Sequence, residues 1–431
     1  MLEVFSAGFV SAWLKMAGVP PSLDPWQIAA QVDWSITPST DAAAEAVIQH
    51  YLQNLVSQGL EPSSQGIWLQ SGSTLLASHQ GMTAMPAASL TKIATSLAAL
   101  QTWGADHQFE TPVSATGLIQ NGELQGDLVV QASGDPMFVW EDAIALGNAL
   151  NQIGITRVTG DLIITGRFMM NFDADPVQSG NALKMALDAD QWDAAIAEEF
   201  AALPTETRRP KVAIAGAIRL GAPAASPTVL MRHRSLPLTD LLRYMNVQSD
   251  NEMSQLLTET MGGTQTMMQI ATEAANLDPS EIQLVNGSGL GVDNRLSARA
   301  ACALVAALDR VIHPHNLSLG DLFPVAGLEG VGTTLEDRSL PAQSVVKTGT
   351  LNEVSALAGV LPTRDRGLVQ FAILNRGTEI SSLRKQQDVL LQTLQQQWGK
   401  ATADQVQPSK WVTARRATLG AAVRSEIVYG G

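Results

Sequence analysis

An α+β fold is predicted: an antiparallel sheet flanked by helices, interrupted by an inserted β-rich domain. Three observations predict it. Near the C-terminus, residues 344–351, 354–361 and 368–374 are β-branched and apolar runs separated by turn residues, the pattern of an antiparallel meander. Apolar residues at helical spacing flank that meander on both sides, at residues 41–60, 90–97 and 297–308 and again at 383–398. Between residues 104 and 225 the character changes to short β-like pieces punctuated by Gly-Asp.

Taken in order, residues 41–60 read as a helix and residues 66–78 as a hairpin around Ser71-Gly72-Ser73. The hairpin delivers the chain to Pro86 and a helix on which Leu90, Ile93, Ala94 and Leu97 form the apolar stripe. In the inserted stretch, Gly126–Val130 and Gly160–Ile164 look like two similar strand starts with a helix over 141–153 between them. A loose segment follows, marked by Pro204, Pro210, Pro223 and Pro227. Helical pattern resumes at 238–245 and 252–261, joined by the polar Gln248-Ser249-Asp250-Asn251. The closing helix carries Leu383, Leu390, Leu394 and Trp398 on one face. This divides the chain into a core domain (1–103 and 226–400), an inserted domain (104–225) and a tail (401–431) that reads as a surface strap or disordered segment.

Composition narrows the function classes. With 45% hydrophobic and 16% charged residues, 431 residues suffice for two globular domains. A net charge of −14 leaves no basic footprint, so a nucleic-acid partner is not expected. The single cysteine, Cys302, forms no internal disulfide and no cysteine-based zinc site, and sits in an apolar helical run as a small core residue. Residues 4–14 match a signal h-region in length, but Glu3 stands where a positive n-region belongs. An amphipathic N-terminal helix or a misplaced start is favoured over a cleaved signal. No apolar run reaches the roughly 18 residues of a membrane span.

The chemistry concentrates in Ser89-Leu90-Thr91-Lys92. Residues three apart on a helix are neighbours, so this serine and lysine can touch, and a serine in a first turn lies where free N–H groups favour negative charge. Ser-x-x-Lys alone says little, because it recurs at Ser344/Lys347 and Ser382/Lys385. A serine hydroxyl must lose its proton to attack, and a lysine accepts it only when neutral. Burial and a second nearby positive charge both favour the neutral form. Lys347-Thr348-Gly349, the only Lys-Thr-Gly present, supplies that charge on a strand, and Gly349 allows close approach of a substrate backbone. Ser249 offers a proton relay and Asn251 a substrate-binding amide.

Ser89-x-x-Lys92, Ser249-Asp250-Asn251 and Lys347-Thr348-Gly349, in that order, are the signature set of penicillin-binding proteins and class A β-lactamases. The chain further resembles the D-alanyl-D-alanine carboxypeptidases of the penicillin-binding protein 4 type over residues 66–377. The resemblance rests on Leu124-x-Gly126-Asp127-Leu128 and Gly134-Asp135-Pro136 in the insert. In the core it rests on Arg243-Tyr244-Met245-Asn246, Asn286-Gly287-Ser288-Gly289-Leu290, Pro324-Val325-Ala326-Gly327 and Lys347-Thr348-Gly349-Thr350-Leu351. It implies a transpeptidase core of the penicillin-binding-protein and β-lactamase type, with a five-stranded antiparallel sheet. It also implies a serine carboxypeptidase acting on peptidoglycan stem peptides, with DD-endopeptidase action left open and β-lactams as covalent inhibitors.

By the same resemblance Ser89 is the nucleophile, Lys92 its base and Ser249 a proton relay. Asn251 binds the substrate amide, Lys347 and Thr348 hold the terminal carboxylate, and the backbone N–H groups of Ser89 and Thr350 receive the oxyanion, a contribution of about 3 kcal/mol per donor. No metal or cofactor is implied, and the substrate implies a periplasmic or extracytoplasmic location, with membrane association left open. Two features depart from the family. The 160 residues between Ser89 and Ser249 accommodate one inserted domain rather than a nested pair, and Asn286 stands where an aspartate is usual. A β-lactamase or esterase on the same fold, and a non-catalytic peptidoglycan-binding protein, remain as alternatives. His313-Pro314-His315 lacks a third metal ligand and reads as a surface loop, and the glycine-rich stretch from Gly327 to Thr334 lacks the lysine of a phosphate loop.

Overall fold

The computed structural model describes residues 37–38, 41–401 and 419–429. The apolar segment at 4–14 and residues 402–418 of the tail lie outside the described residues.

Five antiparallel strands, the number the resemblance implies, form the central sheet, in the order Thr74–His79, Gln65–Ser71, Gly367–Arg376, Val354–Thr363, Val345–Leu351. The two-residue strand Thr37–Pro38 adds a parallel edge beside Thr74 and Leu75. The N-terminal hairpin thus pairs with the C-terminal meander, which obliges the intervening chain to leave the core and return.

The strand next to the edge strand Val345–Leu351, Val354–Thr363, is buried at all ten positions and shows a continuous run of buried residues, because both sheet faces are covered. The faces still differ. Ala356, Ala358 and Ala372 point to one side, where helices Thr91–Trp103 and Ala298–Ile312 pack. Leu357, Phe371 and Ile373 point to the other, against helices Ala42–Ser57 and Ile380–Trp398. Small residues on the first face let its helices come close. Cys302 is fully buried on that side, and burial pushes its thiol pKa up.

Helix Thr91–Trp103 departs from the amphipathic expectation, since every residue from Thr91 to Leu100 is buried. Apart from Thr91, whose buried Oγ1 has no partner among the described residues, its buried polar side chains bond inside the protein. Thr95 Oγ1 donates to the Gly287 carbonyl at 2.7 Å, and Asn246 Nδ2 donates to Ser96 Oγ at 3.0 Å. A helix enclosed all round is the central strut of its layer.

The insert is built on a six-stranded sheet in the order Ile218–Leu220, Leu162–Arg167, Leu128–Ser133, Glu110–Ala115, Thr228–Arg234, Ser425–Ile427. The two Gly-Asp strand starts are parallel neighbours in register, Leu128 opposite Leu162. Asp127 Oδ1 accepts from the Asp161 N–H at 2.8 Å, and Asp161 Oδ1 accepts from the Ala217 N–H at 2.8 Å. Each aspartate therefore fixes the start of the next strand. The segment read as loose contains the third step of this staircase. Helices Trp140–Gln152, Pro176–Ala186 and Ala194–Ala202 accompany the sheet, so the insert is more helical than its sequence suggests. A small four-stranded sheet shares the same hydrophobic cluster through Leu124, Val158 and Ile214.

Strand pairing draws the boundaries differently from the sequence division. Thr228–Arg234 lies along Glu110–Ala115, so the insert continues past residue 225 and the chain rejoins the core at helix Leu238–Gln248. Pro223 and Pro227 suggest a linker, but they flank a turn inside the insert. The described end of the tail also belongs here. Ser425–Ile427 pairs with Thr228–Arg234, and Arg424, 8% exposed, donates to Asp142, which is fully buried. Helix Thr264–Ala274 in the core has no counterpart in the sequence reading.

Removing one member of a buried charge pair leaves the other uncompensated, at a cost of about 3–5 kcal/mol. Arg424→Ala is expected to lower the chemical-denaturation midpoint accordingly and to expose the C-terminal strap to limited proteolysis. An unchanged midpoint and an unchanged digestion pattern would contradict the role given to the pair.

Candidate active site

Ser89 sits in a single 3-10 turn, Ala88–Leu90, immediately ahead of helix Thr91–Trp103. The residue before it, Ala88, has φ +48°, a left-handed conformation costly for a side chain with a Cβ. Two glycines hold that turn. A Cβ on Gly349 would stand 2.8 Å from the Ala87 carbonyl oxygen and 3.2 Å from Ala88 Cβ. A Cβ on Gly289 would stand 1.9 Å from the Ala88 carbonyl oxygen. The close approach at Gly349 is therefore made by the turn that carries Ser89, where the sequence reading assigned it to substrate.

Lys92 lies one turn on and is fully buried. Its Nζ donates to Ser89 Oγ at 3.1 Å, Asn251 Oδ1 at 2.8 Å and the Ser288 carbonyl at 2.8 Å. Burial lowers its pKa to about 7, with the nearby Asp250 charge pulling the other way. An amine of that pKa, in contact with a hydroxyl, is a competent proton acceptor at neutral pH.

The Ser249-Asp250-Asn251 segment is the joint between helices Leu238–Gln248 and Asn251–Thr260. Ser249 ends the first helix at φ +57°, and Asp250 caps the second by accepting from the Met253 N–H at 2.8 Å. That sharp reversal brings Ser249 and Asn251 to the cleft together. Asn251 spends its Oδ1 on Lys92, which leaves its Nδ2 as the group for another partner.

Lys347, 1% exposed, donates to Ser249 Oγ at 2.9 Å and to the Thr348 carbonyl at 2.9 Å. Burial, and then repulsion from Lys92, push its pKa well below the lysine range. The influence between the two lysines runs from Lys92 to Lys347, whereas Lys92 itself is lowered by burial rather than by Lys347. Thr348 and Thr350 line a cavity of about 290 Å³ together with Ser89 and Ser249. The structure thus gathers all eight predicted residues around one cleft, Gly349 serving beneath it.

Three contributors have little or no sequence signal. The Ser288 carbonyl is a backbone acceptor, invisible in residue identity, although the Asn286–Leu290 turn that presents it carries part of the family resemblance. Asn286 Oδ1 accepts from the Gly289 N–H at 2.8 Å while its Nδ2 donates to the Leu290 carbonyl at 2.8 Å. The second bond needs an amide, so the turn closes without a carboxylate. Thr334, from the glycine-rich stretch discounted as a phosphate loop, lines the cavity, as does Arg384 of helix Ile380–Trp398. His313-Pro314-His315 forms an exposed 3-10 turn on helix Ala298–Ile312, away from these groups. The insert reaches the joint from outside. Phe172 stacks on Tyr244 with ring centroids 5.4 Å apart, and Arg167 pairs with Glu259 at 2.6 Å.

A serine paired with a buried lysine, on a sheet-and-helix core of this topology, defines a serine-type hydrolase that works through an acyl-enzyme. The chain belongs to the D-Ala-D-Ala carboxypeptidase 3 (S13) family, which it matches over residues 48–174 and 177–397. The D-alanyl-D-alanine carboxypeptidase DacB of Haemophilus influenzae is 24% identical over 392 residues, covering 68% of this chain and 80% of that protein. A carboxypeptidase of Mycobacterium tuberculosis is 27% identical over 331 residues, covering 67% of this chain and 70% of the relative. Among solved structures, a penicillin G-acylated predatory endopeptidase of Bdellovibrio bacteriovorus aligns with TM-score 0.67 at 22% identity, covering 78% of this chain and 93% of that one. Penicillin binding protein 4 of Haemophilus influenzae aligns with TM-score 0.61 at 20% identity, covering 81% and 99%. At these identities the structural likeness speaks for the fold.

A methyl group at position 349 has to displace the turn that carries Ser89. Displacements of about 1 Å cost roughly a hundredfold in rate. Gly349→Ala is expected to slow acylation of Ser89 by at least about tenfold, measured as the rate of β-lactam labelling. Labelling at the unaltered rate would show that the close approach is not needed.

Proposed function

We propose that this protein hydrolyses the terminal D-Ala-D-Ala bond of peptidoglycan stem peptides, with Ser89 as nucleophile and Lys92 as its base. The observation that carries the reading is the 3.1 Å contact between Ser89 Oγ and a lysine whose pKa burial lowers to about 7. Ser89 Oγ attacks the carbonyl carbon of the penultimate D-Ala, forming the C–O bond as its proton passes to neutral Lys92. Negative charge gathers on the carbonyl oxygen, which the backbone N–H groups of Ser89 and Thr350 receive. The C–N bond then breaks. The proton taken up by Lys92 returns to the leaving amine by way of Lys92 and Ser249, the latter held by Lys347 at 2.9 Å. Water attacks the acyl ester, Ser89 regains its proton, and a peptide shortened by one D-Ala leaves.

β-Lactams, which present a strained amide to the same serine, act in this reading as covalent inhibitors. A cross-linked stem peptide presents the same bond with a larger leaving amine, so DD-endopeptidase action needs no new group. Peptidoglycan chemistry puts the site of action outside the cytoplasmic membrane, and we place it in the periplasm or its equivalent. Among the described residues no helix is long and apolar enough to cross a membrane.

Labelled penicillin is expected to give a stable adduct on Ser89 that Ser89→Ala abolishes. Mass spectrometry is expected to show release of D-Ala from a pentapeptide. An unlabelled wild-type protein would overturn the catalytic reading, and rapid turnover of the adduct would favour a β-lactamase.

The lowered pKa of Lys92 also sets a pH dependence. The base is active when deprotonated, so the acylation rate is expected to rise with pH through about 7 and then level off. A rise continuing to pH of about 10, the ordinary lysine range, would show that Lys92 is not held low.

A further inference from the structure

The expected anchor for the substrate's terminal carboxylate is Lys347, but its surroundings leave it poorly placed for that task. It is 1% exposed, two of its donors are committed to Ser249 and to its own strand, and burial disfavours its charged form. An anion entering the cavity needs another cation.

Arg384 supplies one. It projects from the second turn of helix Ile380–Trp398, is half-buried, and lines the cavity that holds Ser89 and Ser249. Its Nη2 donates to Thr350 Oγ1 at 2.8 Å, which fixes the guanidinium beside the strand that carries Thr348. Among the described residues no carboxylate pairs with it. Asp388, one turn along the same helix, is taken by Arg338 at 2.6 Å, and Glu336 in the cavity wall accepts from the Gly332 N–H at 3.1 Å. A guanidinium stays charged throughout the working range and offers five donors in a fork that matches a carboxylate. One of those donors is used.

Resting on the carboxypeptidase reading, we propose that Arg384 is the specificity-determining residue that binds the free C-terminal carboxylate of the stem peptide, with Thr348 and Thr350 as its hydroxyl partners. The site then selects peptides ending in a carboxylate over the same peptides capped as amides.

The test compares a blocked peptide ending in D-Ala-D-Ala with its C-terminal amide, on the wild-type protein, Arg384→Ala and Arg384→Lys. A charge-assisted hydrogen-bonded contact is worth about 10- to 100-fold. Arg384→Ala is expected to lower the acid-over-amide preference in kcat/KM by that factor, with the loss carried by KM, and Arg384→Lys to restore part of it. Binding of both peptides to Ser89→Ala, with and without Arg384→Ala, is expected to show the same loss for the acid without turnover. An unchanged acid-over-amide ratio, with both substrates slowed alike, would overturn the proposal and leave Arg384 a support for Thr350. A wild-type protein that neither labels with penicillin at Ser89 nor cleaves either peptide would overturn the carboxypeptidase reading, and the role of Arg384 with it.

Discussion

The amine of Lys92 is the point at which three remote parts of the chain meet. Ser89 is its helical neighbour, Asn251 lies 159 residues further on and Ser288 196 residues further on. Taking an ammonium out of water costs several kcal/mol even after relaxation, and only close, well-directed acceptors offset that. The hydroxyl, the amide oxygen and the backbone carbonyl are those acceptors. The same desolvation that makes the site expensive to build also brings the amine toward neutrality. Stability and chemistry therefore pull on one side chain in opposite directions, and the surrounding core has to hold the balance.

That demand bears on two of the places where the backbone is strained. Ala88 and Ser249 both adopt left-handed conformations, and each lies at or beside a serine hydroxyl of the cleft. Neither would persist unless the neighbouring structure over-determined it. Gly289 presses on the Ala88 carbonyl from one side and Gly349 approaches from the other. Ser249 is fixed between a helix end and a helix start by the Asp250 cap. The alanines on the inner face of the sheet belong to the same arrangement, because larger residues there would hold helix Thr91–Trp103 away.

Much of this was legible in the sequence, and the limits follow from physics. The meander could be read because a buried central strand is apolar at consecutive positions and its turns carry turn residues. Ser89, Ser249 and Lys347 could be read because their motifs are local. The Ser288 carbonyl could not, since every residue has one and only the fold decides where it points. Gly349 was visible as a glycine, but the group that crowds it, the Ala87 carbonyl, lies 262 residues earlier. Thr228–Arg234 was misassigned because its partner strand is Glu110–Ala115, and nothing local distinguishes a strand of the insert from one of the core. Arg384 sits on a helix whose apolar face dominates its pattern, and its meaning depends on Thr350 across the gap.

The insert gains a mechanical reading from the same constraint. Helix Asn251–Thr260 begins at the ligand of Lys92 and ends against the insert, where a Cβ on Gly134 would stand 2.5 Å from Thr260 Oγ1. Arg167 grips Glu259 on its last turn, and Phe172 stacks on Tyr244 of the preceding helix. Both helices of the joint are thus braced from outside by one domain. That domain is in turn closed by the C-terminal strand and the buried pair of Arg424 with Asp142. An amine whose pKa depends on contacts near 3 Å requires that Asn251 not drift. The insert holds both helices at points away from the joint itself, where Gln248, Asn251 and Glu252 stay exposed, so its seating bears on the position of Asn251 although it contributes no hydrogen bond to Lys92.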